Sequence, residues 1–316
     1  MKVLVTGGAG FIGSHVTDRL IDAGAEVVVV DNLSSGRRGT VNPRARLHAM
    51  DIGDEGIRQL FEHEHFDCVD HHAAQMNVRR SVDDPIFDAR VNILGSLNLL
   101  QAAVATGVKK FVFASTGGAI YGEQLTFPAD ETHQTWPMSP YGIAKLAVEK
   151  YLAFYHEVYG LSYTALRYAN VYGPRQDPHG EAGVVAIFGQ RLLAHEPAII
   201  NGDGEQTRDF VYVDDVVRAN VLAATTDLQG IYNVGTGIET SVNVLYASLA
   251  KHTALAAAPQ YGPAKAGEQR RSVLDSRKLQ AATQWRPLIS LDEGLRHTVA
   301  YFAEQQTGRK TGSDSV

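Results

Sequence analysis

The sequence predicts an α/β fold, a doubly wound parallel sheet joined to a smaller, mixed α/β region. Three observations carry this. Through the first half, short β-branched runs alternate with longer segments whose apolar residues recur at helical spacing. The strand candidates are apolar almost throughout, as a parallel sheet covered on both faces requires. A glycine-rich turn, Gly7 to Gly13, links the first strand candidate to the first helix, and alternating β and α segments with short connections wind a sheet in both directions.

Taken in order, Val3–Val5, Val27–Val30, Arg46–Ala49, Cys68–His72 and Phe111–Ala114 read as strands, and Phe11–Ala23, Asp54–His63 and Asp83–Thr106 as helices. Tyr141–Tyr159 is a further helix, with Ile143, Ala144, Ala147, Val148, Tyr151, Leu152 and Tyr155 at spacings of three and four, and Leu161–Leu166 a further strand. After about Arg167 the pattern loosens and the loops Gly173–Ala182, Asn201–Thr207 and Gly262–Arg271 are longer, a texture that goes with binding. Residues 1–167 therefore read as a dinucleotide-binding domain, rejoined by a strand-helix-strand segment at about 209–234. Residues 168–305 read as a discontinuous substrate-binding domain. From Gln305 apolar residues all but vanish, so residues 306–316 read as a disordered tail.

Composition narrows the partners. Against 29 basic residues stand 35 acidic ones, a net charge of −6, which argues against a generic nucleic-acid or acidic-membrane binder. A lone cysteine, Cys68, excludes an internal disulfide and a Cys-rich zinc site. The first residues form a short apolar run broken by glycines, neither a leader nor a membrane span, so the expected location is the cytoplasm. His63, His65, His71 and His72 cluster in sequence, but no thiolate or carboxylate spacing completes a metal site, and none is expected.

The most informative stretch is Val3 to Gly13. Glycines at 7, 10 and 13 follow a strand and open a helix. Gly7 and Gly10 permit a tight turn and close approach of backbone to a pyrophosphate, Gly13 lets the helix lie against the sheet, and the helix start offers free N–H groups. Alone, such a turn is common in structural loops. Here Asp31 ends the next strand 18 residues beyond Gly13, where a carboxylate can take the adenosine ribose hydroxyls and repel a 2′-phosphate, favouring NAD over NADP. Arg37 and Arg38 lie near enough to oppose that preference.

Tyr141 and Lys145 stand one helical turn apart. A phenol is a poor base near neutral pH, and an adjacent ammonium favours the phenolate, which could then remove a hydroxyl proton as a hydride leaves the same carbon. Tyr-x-x-x-Lys arises often by chance as a surface pair; following a dinucleotide loop it reads as chemistry. The buried run Phe111–Ala114 ends in Ser115 and Thr116, at the strand end where ligands sit in such sheets, and either hydroxyl could bond the reacting group. Serine and threonine also close strands for turn reasons alone.

Together these segments resemble the extended short-chain dehydrogenase/reductase family, in particular the NAD-dependent sugar-nucleotide epimerases of the UDP-glucose 4-epimerase type. The likeness runs from Met1 to about Phe302 and includes TGGAGFIGSH at 6–15, DNLSSG at 31–36, HHAAQ at 71–75, VNILGS at 91–96, SPYGIAK at 139–145, RYANVYGPRQ at 167–176, RDFVYVDD at 208–215, YNVGTG at 232–237 and GEQRRSVLD at 267–275. The resemblance implies a bound NAD. Gly7, Gly10, Phe11 and Ile12 would meet its pyrophosphate; Asp31, Asn32, Ser35 and Gly36 the adenosine ribose side; Asp51 and Ile52 the adenine; Ala73, Ala74, Gln75, Asn92, Ser115 and Tyr168 the nicotinamide half. It implies Tyr141 as base, Lys145 as its partner, and Thr116 or Ser115 as the assisting hydroxyl. Asn170 and Arg208 would hold the nucleotide diphosphate, Lys265 and Glu268 would help with its diphosphate and ribose, and the small Ser272, where some members carry a bulky gatekeeper, would leave room for an N-acetyl group.

The chain departs from the family's pattern in places. Four residues before Tyr121, the usual place of the assisting hydroxyl, stands Gly117; a one-residue insertion in Gly117-Gly118-Ala119 restores Thr116. Lys265 replaces an arginine and gives up its two-pronged contact. The Asp-Glu pair by which related dehydratases eliminate water is replaced by Gly117-Gly118, which favours epimerisation, and Glu123 comes too late to serve decarboxylation. The implied activity is a reversible C4 epimerisation of a UDP-sugar through a 4-keto intermediate, in a homodimer paired through the exposed faces of Asp83–Thr106 and Tyr141–Tyr159. The rivals are a UDP-glucuronate 4-epimerase, a nucleotide-sugar reductase or dehydratase, and a non-catalytic NAD sensor, against which the retained Tyr141 and Lys145 argue.

Overall fold

The computed structural model describes residues 1–178, 183–253, 258–264 and 269–313, with side chains through residue 307. The chain starts β1 (Lys2–Thr6), α1 (Phe11–Asp22), β2 (Glu26–Val30), β3 (Arg46–His48), α2 (Gly56–Glu64) and β4 (Cys68–His71). Next come α3 (Val78–Asp83), α4 (Pro85–Ala89), α5 (Gly95–Thr106), β5 (Lys110–Thr116), the short α6 (Gly117–Ile120), α7 (Pro140–Tyr159) and β6 (Ser162–Tyr168). The single helix expected over Asp83–Thr106 starts instead at a break: Asp84 caps α4 by accepting from Phe87 N, and Pro85 takes the first helical position, where its missing N–H costs nothing. Between α4 and α5 the helix loosens into one π turn, Arg90–Leu94.

The main sheet has seven parallel strands in the order β10-β6-β5-β4-β1-β2-β3, where β10 is Gly230–Val234. Successive residues of a strand point to opposite faces, and both faces here are dry. Val3, Val5, Val27 and Val29 join Val16, Leu20, Val217 and Ala223 on one side, while Leu4, Val28, Phe111 and Phe113 join Phe61, Leu99, Val148 and Leu152 on the other. Chain order reverses between β1 and β4, the switch point at which doubly wound sheets open a crevice beyond their carboxyl ends.

The second lobe is built of short pieces. They are β7 (Asn170–Tyr172), α8 (Val184–Leu193), β8 (Ile199–Asn201), β9 (Thr207–Tyr212), α9 (Val213–Thr225), β11 (Glu239–Ser241), α10 (Val242–His252), β12 (Gln260–Gly262), β13 (Arg271–Ser272), α11 (Arg277–Thr283) and α12 (Leu291–Ser313). β9 holds β7, β11 and β13 together, and β8 pairs with β12. Asp209, in the segment expected to rejoin the first domain, lies in this smaller sheet; the return to the main sheet is made by α9, packed on α1, and by β10. The tail read as unstructured from residue 306 is helical through Ser313, because a helix already nucleated over Leu291–Phe302 lengthens at little cost per residue. No helix of the described residues is long and apolar enough to cross a membrane.

Candidate active site

β1 ends at Thr6 and the chain turns at Gly7, whose φ of 71° suits glycine and where a Cβ would stand 2.7 Å from Ala73 N. Gly13 needs its missing side chain equally, since a Cβ there would meet Gly7 O at 2.3 Å. α1 therefore starts hard against the sheet. No side chain caps it, so its first-turn N–H groups face the crevice. Asp31, at the end of β2, is buried and folds its own surroundings: Oδ2 accepts from Ala9 N at 3.0 Å and Oδ1 from Leu33 N at 2.8 Å. Beside it Asn32 donates to Asp51 Oδ2 at 2.7 Å.

The opposite wall hangs on a chain of hydrogen bonds whose direction can be read. Ser96 Oγ donates to Asn92 O, so it accepts from His71 Nε2–H at 2.9 Å; His71 Nδ1 then accepts from the Thr6 hydroxyl at 2.7 Å, and Thr6 Oγ1 accepts from Ala73 N at 3.2 Å. Complete burial keeps His71 neutral by pushing its pKa well below the usual range. Gln75 is gripped by Asn92, which accepts from its backbone N–H and donates to its C=O, while its side chain donates to Asp88 Oδ1 at 2.9 Å.

Between these walls lies a cleft of about 520 Å³. Gly7, Gly10, Phe11, Ile12, Asp31, Asn32, Ser35, Asp51, Ile52, Ala73, Ala74, Gln75, Ser115, Tyr141, Lys145 and Tyr168 all line it. The donor set fits a dinucleotide: an uncapped helix start and glycine turn suited to a diphosphate at the middle, and carboxylate and amide groups at one end. Two residues expected to touch the cofactor do not line the cleft. A Cβ on Gly36 would crowd Ala9 and Asp31, so this glycine lets one loop lie against another. Asn92, buried behind the wall, holds Gln75 in place. Arg37 is turned toward the second lobe, 3.5 Å from Asp177.

α7 carries Tyr141 and Lys145. Ser139 caps it by accepting from Gly142 N and Pro140 sits at its start, which fixes the helix origin one residue before Tyr141. Lys145 is buried, its ammonium donating to Ala114 O at 2.8 Å and lying 4.7 Å from the centre of the Phe113 ring and 5.8 Å from that of Tyr141. Burial lowers its pKa to about 8, against the upward pull of Asp88 and Glu149.

The structure separates the two hydroxyls that end β5. Ser115 Oγ donates to Glu149 Oε1 at 2.6 Å, and Glu149 is held by Arg167 Nε and Nη2 at 2.9 and 2.6 Å. Arg167 also donates to Tyr121 Oη, which donates to Asn233 Oδ1. The Thr116 side chain stands just past the cleft lining, half-buried, with no hydrogen bond to another described residue. The extra residue after it is taken up by α6, one helical turn leading to Tyr121.

On the second lobe, β9 sets Arg208 beside Ser272 of β13, and pairs Phe210 with Asn170 of β7. Arg208 donates to Thr207 O, and Ser272 is buried. Lys265 and Glu268 lie outside the described residues. Arg270 and Arg271 pair with Asp203 and Glu239. Among the described residues no group of three His, Cys, Asp or Glu could hold a metal; His71 serves the wall, and His72 Nε2 lies 2.9 Å from buried Asp70.

Several cleft residues went unnoticed in the sequence, Met50, Met76, Asn77, Arg80 and Phe87, and His72, weighed there only as a metal ligand, lines the cleft as well. Arg80 stacks over Phe87 at 4.2 Å across the Asp84-Pro85 break, and that dipeptide was the available signal for two short helices in place of one.

Known proteins are similar to this chain over nearly its whole length. A UDP-glucose 4-epimerase of Mycolicibacterium smegmatis is 44% identical over 308 residues, 96% of this chain and 98% of that protein. The crystal structure of a UDP-glucose 4-epimerase with UDP-glucose from Thermotoga maritima is 52% identical, with a TM-score of 0.95, over 97% of this chain and 100% of the other. That of a Thermus thermophilus UDP-glucose 4-epimerase in complex with NAD is 48% identical, with a TM-score of 0.91, over 96% and 99%. The profile of the NAD dependent epimerase/dehydratase family matches residues 3–235, from the phosphate loop through the last strand of the main sheet, and the chain belongs to that family.

Proposed function

We propose that the protein interconverts UDP-glucose and UDP-galactose by inverting carbon 4, using a retained NAD. The observation that carries this is a lysine-backed tyrosine facing a glycine-built phosphate loop across one cleft. The names of the relatives point to the same substrate. NAD, when bound, supplies the chemistry of taking a hydride from carbon 4 and giving it back. The residues of this chain do the rest. Tyr141 removes the proton of the 4-hydroxyl and later returns one. Lys145, as an ammonium, stabilises the phenolate. Thr116, whose hydroxyl is uncommitted, bonds the reacting oxygen, while Ser115 is spent on Glu149. Asn170 and Arg208 hold the nucleotide diphosphate as the 4-keto sugar turns over, and Ser272 leaves space for an N-acetyl group.

In NMR of purified protein with UDP-glucose and no added cofactor, UDP-galactose should accumulate to a fixed ratio; UDP-N-acetylglucosamine should be inverted as well. Stoichiometric consumption of added NADH without C4 inversion would identify a net reductase and end this reading.

The proposed assembly is a homodimer. Val82, Ile86 and Leu94 on the α3–α5 stretch and Ile143, Phe154 and Val158 on adjoining α7 are each about half exposed or more, an apolar surface that a second copy would cover. Sedimentation at micromolar concentration should give twice the chain mass; a monomer would refute the assignment. A cytoplasmic setting suits the single thiol, Cys68, which is buried and unpaired.

A further inference from the structure

Tyr141, Lys145 and Glu149 recur every four residues along α7, so they share one helix face. Lys145 is the member that needs help. Its ammonium is buried and donates to the neutral carbonyl of Ala114. A buried ammonium in apolar surroundings loses its proton unless negative charge lies close by. Two buried carboxylates approach it from different helices.

The first is Asp88, on α4, which packs across α7. It is 1% exposed, and its two oxygens are used differently. Oδ1 accepts from Gln75 Nε2 and Asn92 Nδ2, both at 2.9 Å, whereas Oδ2 is buried with no hydrogen-bond partner among the described residues. An oxygen left bare in this way is tolerated where a nearby cation answers its charge. The second is Glu149, also 1% exposed, clamped at both oxygens by Arg167 and at one by Ser115. The clamp holds it fixed one turn below Lys145.

We propose that Asp88 and Glu149 are positioning residues for the reaction, a pair of buried carboxylates that keep Lys145 charged beneath Tyr141. Asp88 also ties that charge to the cofactor wall, because the oxygen it does not leave bare holds Gln75. The groups facing Lys145 are Asp88 from α4, Glu149 and Tyr141 from its own helix, His71 from β4, and the Phe113 ring and Ala114 carbonyl from β5. His71 is neutral, so Asp88 and Glu149 supply the negative charge. The inference rests on Tyr141 and Lys145 being the reacting pair.

The test is the pH profile of C4 inversion in three variants of the full chain. Asp88→Asn keeps the shape and the acceptor oxygen for Gln75 and Asn92 while removing the charge; its kcat should lose its alkaline limb about one pH unit earlier than the parent, roughly a tenfold loss near pH 8.5, with KM and NAD binding within about twofold. Glu149→Gln should move the limb in the same direction, measured at a temperature where it is shown to be folded. Tyr141→Phe is run beside them. If Asp88→Asn, folded and binding NAD, keeps the parental alkaline limb, the inference is wrong, and a uniform loss of rate at every pH with the limb unmoved counts against it equally. If Tyr141→Phe is as active as the parent, the assignment of the base has failed instead, and this inference falls with it.

Discussion

Exchanging Tyr141 for phenylalanine should lower the rate of C4 inversion by about 10²–10⁴-fold, the range over which a positioned acid-base group acts. Tyr141 lines the cleft, and its ring remains in the variant; only the phenol oxygen is lost. Lys145 keeps its bond to Ala114 O and its place above Phe113, and Ser139 still caps the helix, so fold and cofactor affinity should hold. Single-turnover measurement of inversion, with NAD binding followed by fluorescence, separates the two. A variant that inverts at the parental rate would show that another group carries the proton.

The largest effect on stability is expected at Arg167. This guanidinium and its partner Glu149 are nearly fully buried, 4% and 0% exposed at their side chains. Burial works against the arginine's charge, yet its hydrogen bonds to Glu149 outweigh it and raise the pKa. Arg167→Met takes from the buried Glu149 carboxylate both of its guanidinium bonds and leaves Ser115 as its remaining hydrogen-bond donor, a cost of about 3–5 kcal/mol, where a well-packed apolar pair in place of both is often neutral. Denaturant melts of Arg167→Met, Glu149→Leu and the double variant should therefore show both singles strongly destabilised and much of the loss recovered in the double. Additive losses would mean that the two side chains matter by packing alone and not as a charged pair.

What could be read beforehand follows from how local each signal is. β1, β2, β5 and β6 were legible because each is a compact run rich in β-branched or aromatic residues, and the phosphate loop because three glycines, a strand and Asp31 fall within a few turns of chain. That Tyr141 and Lys145 share one helix face was legible because four residues make one turn. Gly36 and Asn92 lie behind the cleft lining, Gly36 against Ala9 and Asp31 and Asn92 bonded to Gln75, and depth behind a wall leaves no trace in spacing. Asp88 and Glu149 were missed because a lone carboxylate in an amphipathic helix looks like part of a solvated face until the opposing helix or strand is placed on it. The partners that explain them sit elsewhere in the fold: Gln75, just past β4, holds Asp88, and Ser115 of β5 and Arg167 of β6 hold Glu149. The short strands of the second lobe, two to six residues long, give periodicity too little room to register.

One topological detail bears on how such a chain can be made or rearranged. The outermost strand of the large sheet, Gly230–Val234, is supplied only after the polypeptide has left for the other lobe and built part of it. During synthesis the flank of Ser162–Tyr168 must wait with its amides and carbonyls bare, an open invitation to neighbouring chains, until that late segment emerges and seals it. No single scission can part the lobes into self-sufficient halves. Grafting a different sugar-recognising lobe onto this nucleotide scaffold would need two junctions, one on each side of the strand that comes back.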